Sequence, residues 1–386
     1  MPAENPASRP WYDRPLRLGV VAGVPVNVST SWLLITVIMV GLFAPRIHGW
    51  LPGISALGAV LVALGYTLIL AVSVLIHELG HAFTARTVGW TGSTIEITLW
   101  GGHTTFNEVD STPGRSLVVS FAGPAANLIL GGMAIAAVLT LDPAGVPRAL
   151  LVMGAWGNLL LGVFNLLPGL PLDGGRLVEA IGWRVSGSRA TGTIVAGWAG
   201  RIVALLGVAA LVVSIVRDVN SPPFLELAIG IAVLLPLFTG AGSAIRYGRL
   251  RRRVEGLSLQ ALTSPLVILD PGSSVQDAEA AGVDRGTVVM VSMAAGSGPS
   301  LLRILPEAVA AVAPEDRRGT PATRAGVAAD DAGRLTHDAT GDAIVEAVIS
   351  SVSGSALIVD DRGTPIGAIR RENLISALEG ADQRNV

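Results

Sequence analysis

The stretch His77-Glu78-Leu79-Gly80-His81 closes an apolar run, "AVSVLIHELGHAF", in a place where polar side chains are costly to bury. In a helix, residues four apart lie on one face. His77 and His81 can therefore aim imidazole nitrogens at one ion, with Glu78 beside them, which is the pattern of two zinc ligands and a general base. The competing explanation is a helix end whose histidines merely meet water. Against it stand the scarcity of histidine, 5 in 386 residues, and the functional weight of ionisable groups in membrane segments. Catalytic zinc takes three protein ligands and an exchangeable water, so a third ligand is needed from another segment. "FNLLPGLPLDGGR" (164–176) supplies Asp173 in a stretch interrupted by two prolines and three glycines. Non-helical backbone at membrane depth persists only where protein covers it or where it lines a watery cavity. Asp173 is accordingly read as part of a site wall, with a solvated carboxylate in a turn as the alternative. Glu78 would take a proton from the attacking water and return it to a leaving amine.

The elements that must carry these groups follow from composition. The chain is 51% hydrophobic and 15% charged, with a mean hydropathy of +0.59, the profile of a membrane protein. Apolar runs near 29–45, 54–87, 116–141, 148–168, 193–216 and 224–244 predict about six crossings. The start, "MPAENPASRPWYDRPLRLG", is polar and proline-rich, so no cleavable leader is expected and the N-terminus should remain inside. Arginine supports that orientation. Arg9, Arg14 and Arg17 precede the first run, Arg86 and Arg115 flank the second connection, Arg176, Arg184 and Arg189 lie in the fourth, and "RYGRLRRR" follows the last. The alternate connections carry only Arg46, Arg148 and Arg217, so both termini are expected in the cytoplasm. The complete absence of cysteine excludes disulfides, thiolate nucleophiles and cysteine metal sites. A net charge of -2 gives no reason to expect a nucleic-acid partner. All basic residues being arginine fits a GC-rich bacterial genome.

Between the second and third runs, "GSTIEITLWGGHTTFNEV" (92–109) has β-branched, alternating character around Gly101 and Gly102. A hairpin there could add an unwound substrate as a further strand, with Gly101 and Gly102 helping to position it. His103 is read as a polar loop residue, the alternative being an approach to the metal.

Beyond Arg253 the texture becomes mixed and soluble, and from about 257 to 381 a unit occurs twice. "PSLLRILPEAVAAV" (299–312) and "TPIGAIRRENLISAL" (364–378) each predict a strand running into a helix, with Ile304 matching Ile369 and Glu307 matching Glu372. An apolar strand and an Ala-rich helix precede each copy. Such units bury their apolar faces against one another, so the tail is expected to be a paired α/β module.

Taken together, "HELGH", the Asn165, Pro168, Asp173 and Gly174 pattern of "NLLPGLPLDGG", and Gly123, Pro124 and Asn127 of "FAGPAANL" resemble the intramembrane zinc metalloproteases of the site-2 protease family, in the bacterial subgroup with a C-terminal pair of cystathionine-β-synthase (CBS) domains. The resemblance implies a polytopic α-helical membrane protein of about six transmembrane helices with a membrane-associated β-hairpin (1–253), followed by a cytoplasmic α/β CBS pair (about 257–320 and 328–381). It implies that His77, His81 and Asp173 bind one zinc ion, that Glu78 is the catalytic carboxylate, and that Asn165 helps hold the substrate carbonyl or its oxyanion. From the residues alone, a helix-to-helix hydrogen bond is an equal reading of Asn165, and for Asn127 it is the preferred one. The expected substrates are single-pass membrane regulators such as anti-sigma factors, and the expected location is a bacterial cell membrane. CBS pairs often sense adenine nucleotides. Here the expected Ser/Thr and Asp are Leu305 and Ala308 in the first copy and Arg370 and Asn373 in the second. A ribose-binding carboxylate is missing from both, and nucleotide control stands level with a structural or dimerising role. The rivals from other classes are a non-catalytic membrane sensor and a CBS-regulated ion transporter.

Overall fold

The computed structural model describes residues 15–98, 101–109, 111–217, 224–295, 298–329, 332–351 and 353–380. The polar start with Arg9 and Arg14, the centre of the expected hairpin at Leu99 and Trp100, and Ala381 at the expected end of the tail lie outside these residues. The chain divides into two units, residues 1–248 and 249–386.

In the first unit, strands β1 (Pro15–Val21) and β2 (Val24–Ser29) precede helices α1 (Trp32–Trp50) and α2 (Ala56–Thr87). Strands β3 (Thr91–Thr98) and β4 (Gly101–Asn107) follow. Then come α3 (Pro113–Leu141), α4 (Gly145–Asn165), α5 (Asp173–Ser186), α6 (Arg189–Arg217) and α7 (Phe224–Glu255). Six of these helices are long and apolar enough to cross a membrane: α1, α2, α3, α4, α6 and α7. The chain is thus a multi-pass membrane protein. At 1.5 Å per residue, the 32 residues of α2 extend about 48 Å, more than a hydrocarbon core of about 30 Å, and the His-Glu motif sits in its final third. Ser55 caps α2 by accepting from the Gly58 amide, and Thr112 with Pro113 opens α3. Leu57, Leu61, Leu64 and Leu68 of α2 face outward where lipid would be met, while Ala59, Val62, Ala63 and Tyr66 pack with Ile47 of α1 and Met153 of α4.

The strands form one sheet of order β1-β2-β3-β4, in which β2 and β3 run parallel and the outer pairs antiparallel. The sequence reading anticipated only the 92–109 segment. Residues 15–29 also join, because Val24 and Val26 alternate inward beside Ile95 and Ile97, and this apolar face covers Ala82 of α2. A second difference lies after α4. Asp173 was expected in broken backbone, but the break is confined to 166–172 and Asp173 is the first residue of the amphipathic helix α5. Gly174 and Gly175 fold tightly against the backbone of Leu166–Leu170, so the turn is short enough for a helix to restart at once.

The second unit contains two four-stranded sheets. One joins Leu266–Leu269, Val288–Ala295, Gly298–Ile304 and Gly326–Ala328; the other joins Gly333–Leu335, Ser355–Val359, Pro365–Arg370 and Thr263–Ser264. The short Thr263–Ser264 strand thus pairs with the second copy although it precedes the first. Each sheet has its own core, around Val289, Val291 and Ile304 in one and Ile344, Ile358 and Ile369 in the other.

Candidate metal centre

α2 and α5 bring His77, His81 and Asp173 together. Oδ2 of Asp173 lies 3.0 Å from Nε2 of His77 and 3.2 Å from Nε2 of His81, and the two Nε2 atoms are 3.2 Å apart. Three ligand atoms around one tetrahedral zinc, at bonds of about 2.0–2.1 Å, sit about 3.3 Å from one another, so the spacing fits that ion. Both histidines are buried, at 5% and 7% exposure.

The far side of each ring decides what faces the centre. Nδ1 of His81 meets the Val119 carbonyl at 2.8 Å, and Nδ1 of His77 meets Oδ1 of Asn127 at 2.8 Å. The second contact is fixed by a directional chain. Ser73 Oγ donates to the Ile69 carbonyl, Asn158 Nδ2 donates to Ser73 Oγ and to the Gly154 carbonyl, and Asn127 Nδ2 donates to Oδ1 of Asn158. Asn127 is left with its carbonyl toward His77. Both imidazoles accordingly carry hydrogen on Nδ1 and turn a lone pair inward. Two lone pairs and a carboxylate at this spacing require a cation or protons between them. Where protons fill that role, burial pushes the Asp173 carboxyl up, but hydrogen bonds and charge from His77 and His81 outweigh it and hold the group well below the usual carboxylate range.

Close approach explains two glycines. A Cβ on Gly123 of α3 would overlap Nε2 of both histidines, and one on Gly102 of β4 would fall on the Glu78 carboxylate. Glu78 is buried beside the metal-ligand cluster without joining it, and its Oε2 accepts from the Thr104 hydroxyl at 2.7 Å. A cavity of about 280 Å³ opens over the cluster, lined among others by Glu78, Gly101, Gly102, Thr104, Asn165 and Arg176. Asn165 borders this cavity while its amide donates to Leu161 of its own helix at 3.1 Å. His103 is also among the residues bordering this cavity, but its side chain is more than half exposed and lies 3.7 Å from the Glu96 carboxylate. It is not part of the cluster. After β4, Glu108 meets Arg189 at 2.5 Å, and Arg189 also reaches Glu179 and lies over the ring of Trp183. Burial pushes Glu108 up, but the Arg189 guanidinium overrides this and lowers it from its ordinary value of 4.5.

The sequence profile of peptidase family M50 matches residues 65–150 and 141–214, the segments that contribute all three candidate ligands and Glu78. That match lies within the membrane unit, whose residues 65–214 are similar to peptidase family M50. The resemblance drawn from "HELGH" and "LPLDGG" accords with that match. Over 196 residues it is 40% identical to the protein named zinc metalloprotease Rip3 in Mycobacterium tuberculosis, a match covering 50% of each chain. It is 30% identical over 257 residues to the protein named zinc metalloprotease sll0528 in Synechocystis, covering 65% of each. The chain thus spans about half the length of Rip3. The solved site-2 protease from Methanocaldococcus jannaschii is 26% identical, with 60% of this chain and 95% of that one covered at a TM-score of 0.41.

Sequence reasoning missed Thr104, Asn158 and Ser73. Asn158 and Ser73 gave a signal, since each is a polar residue inside an otherwise apolar helix. What the sequence lacked was the helix register that joins them through Asn127.

Proposed function

We propose that this chain is an intramembrane zinc metalloprotease that hydrolyses peptide bonds within or beside transmembrane segments of membrane-anchored regulatory proteins. The observation that carries this reading is the convergence of two bare imidazole nitrogens and one carboxylate, from α2 and α5, beside a buried Glu78 that the cluster does not consume. His77, His81 and Asp173 would hold the ion, which when bound supplies Lewis-acid polarisation and an acidified water. Glu78, oriented by Thr104, takes the proton of the attacking water and passes it to the departing amine. Asn165 borders the cavity from α4, and rotation of its amide away from Leu161 offers a donor to the developing oxyanion.

Strand β4 is the outermost strand of its sheet and borders the same cavity. In this reading the sheet is associated with the membrane and an unwound client segment adds beside β4, so its main-chain groups pair with the strand and its scissile bond passes Glu78. Gly102 keeps that strand close to Glu78, and Gly101, at φ +116°, supplies the backbone conformation that starts it. Clients would be single-pass signalling proteins of the anti-sigma-factor type, and the location a bacterial cell membrane with both termini in the cytoplasm.

The tail, in this reading, is a tandem CBS module that regulates the protease or pairs two copies. Its two sheets each repeat the strand–helix unit. Arg303, Arg370 and Arg371 line a cleft of about 370 Å³, where they could meet phosphate. Asn373 stands where a ribose-binding carboxylate is absent and is engaged by Arg370 and Ser264. Adenine-nucleotide titration of the full chain measures which role applies.

The deciding experiment is Glu78→Gln in purified full-length protein, measuring zinc content and cleavage of a reconstituted transmembrane peptide. Retained zinc with cleavage reduced by about 10²–10⁴-fold is expected. Unchanged cleavage rejects the assignment of Glu78, and His77-dependent ion flux without peptide products favours the transporter instead.

A further inference from the structure

The α6–α7 pair carries two arginines that the metal cluster does not use. Arg201 stands on α6 and Arg246 on α7, and neither forms an ion pair among the described residues. The Arg201 guanidinium lies 5.1 Å from the ring of Trp198 and 5.5 Å from that of Phe238, and its Nε is buried with no hydrogen-bond partner. Arg246 donates to Ser243 at 2.8 Å. The helices cross tightly here, with Gly197 and Gly200 of α6 against Ala241 of α7.

Gly242 lies between the two cations. The position a side chain would take there is 3.3 Å from one terminal nitrogen of Arg201 and 3.6 Å from one of Arg246. Two guanidinium groups so close repel each other unless an anion is shared between them, and the missing side chain keeps that ground open. The depth is also informative. Ile202–Val216 on α6 and Leu227–Ile245 on α7 contain no charged residue; Arg246 stands just past the apolar run of α7, whereas Arg201 is the one charged residue inside the 193–216 run of α6. Arg246 is thus at the level of lipid headgroups, on the side that also carries Arg184, Arg189 and the "RYGRLRRR" stretch, and the long side chain of Arg201 extends toward it. Trp198 and Phe238 are partly exposed on the same surface, at 47% and 41%, as aromatic residues at a membrane interface are.

We propose that Arg201 and Arg246 form a phosphate-binding site on the α6–α7 surface, outside the cavity over His77, His81 and Asp173. A planar guanidinium matches phosphate with two parallel hydrogen bonds. Arg201, held by contacts to two rings, is already ordered for that contact, and Arg246 closes it from the neighbouring helix. The phosphate of an acidic phospholipid and free inorganic phosphate share this chemistry.

The test uses the full-length chain in nanodiscs of phosphatidylcholine alone or mixed with phosphatidylglycerol, with retained lipid counted by native mass spectrometry. Wild type should retain phosphatidylglycerol in preference to phosphatidylcholine and unfold at a higher temperature in the mixed discs. Arg201→Gln and Arg246→Gln should each weaken retention by about fivefold. Gly242→Val keeps both charges but fills the ground between them, and should weaken retention similarly. In detergent without lipid, inorganic phosphate is added against chloride at equal ionic strength. A thermal shift with phosphate, lost in Arg246→Gln, without preferential phosphatidylglycerol retention, assigns the site to the free ion. Equal phosphatidylglycerol retention by wild type, Arg246→Gln and Gly242→Val, with no phosphate shift, overturns the proposal. Should Arg201→Gln fail to fold, the exposed Arg246 and the Gly242 substitution still decide it.

Discussion

At the residue scale, the centre depends on which nitrogen of each imidazole is left bare, and that is settled by partners outside the ligand set. Asn127→Leu removes the acceptor that holds hydrogen on Nδ1 of His77. Zinc affinity, measured by chelator competition, should fall by about 10–100-fold while the helices persist by circular dichroism. Gly123→Ala makes a different test, because its methyl group enters the space of both inward nitrogens. Metal binding is expected to fail in the folded protein, and full metal occupancy would show that the two rings are free to move apart. The two histidines and Asp173 were legible from types and spacing alone, because the four-residue helical repeat places the histidines on one face and a two-ligand zinc demands a third. Thr104 and Asn158 were not legible. Their roles depend on which strand lies over α2 and on how α3 and α4 are registered, neither of which leaves a local mark in sequence.

At the element scale, β4 and α5 are the parts whose placement matters most. Gly102 lets β4 lie against Glu78, so Gly102→Val should abolish peptide cleavage while zinc content stays at wild-type level. The link between Glu108 and Arg189 ties the segment after β4 to the start of α6. Glu108 has its folded-state pKa lowered below 4.5, so the unfolded chain takes up its proton first as pH falls. Its stabilisation is therefore complete above about pH 4.5 and disappears as pH falls through the lower folded value. Glu108→Gln should lower thermal stability at neutral pH, with the difference from wild type narrowing in acid. The six apolar helices could be read from composition, but the restart of helix at Asp173 could not. Prolines and glycines in "LLPGLPLDGG" announce a break without revealing how few residues it takes. Residues 15–29 were also opaque, since an apolar face becomes recognisable as a strand only once Ile95 and Ile97 lie beside it.

At the scale of the whole molecule, orientation is the testable property. The chain has no cysteine, so a single introduced thiol reports one position without background. Ser186→Cys, at the end of α5, should be protected from an impermeant thiol reagent in intact cells. Ala144→Cys, between α3 and α4, should be labelled, as arginine distribution requires. The opposite pattern would invert the proposed topology.

The metal-ligand contact joins residues 96 positions apart in sequence, and this bears on mechanical behaviour as well as chemistry. With a cation in place, three mutually repelling electron pairs become a rivet between α2 and α5. Once a chelator strips it out, that seam should loosen first, and a protease added to solubilised protein should nick the 166–172 turn well before the bundle melts.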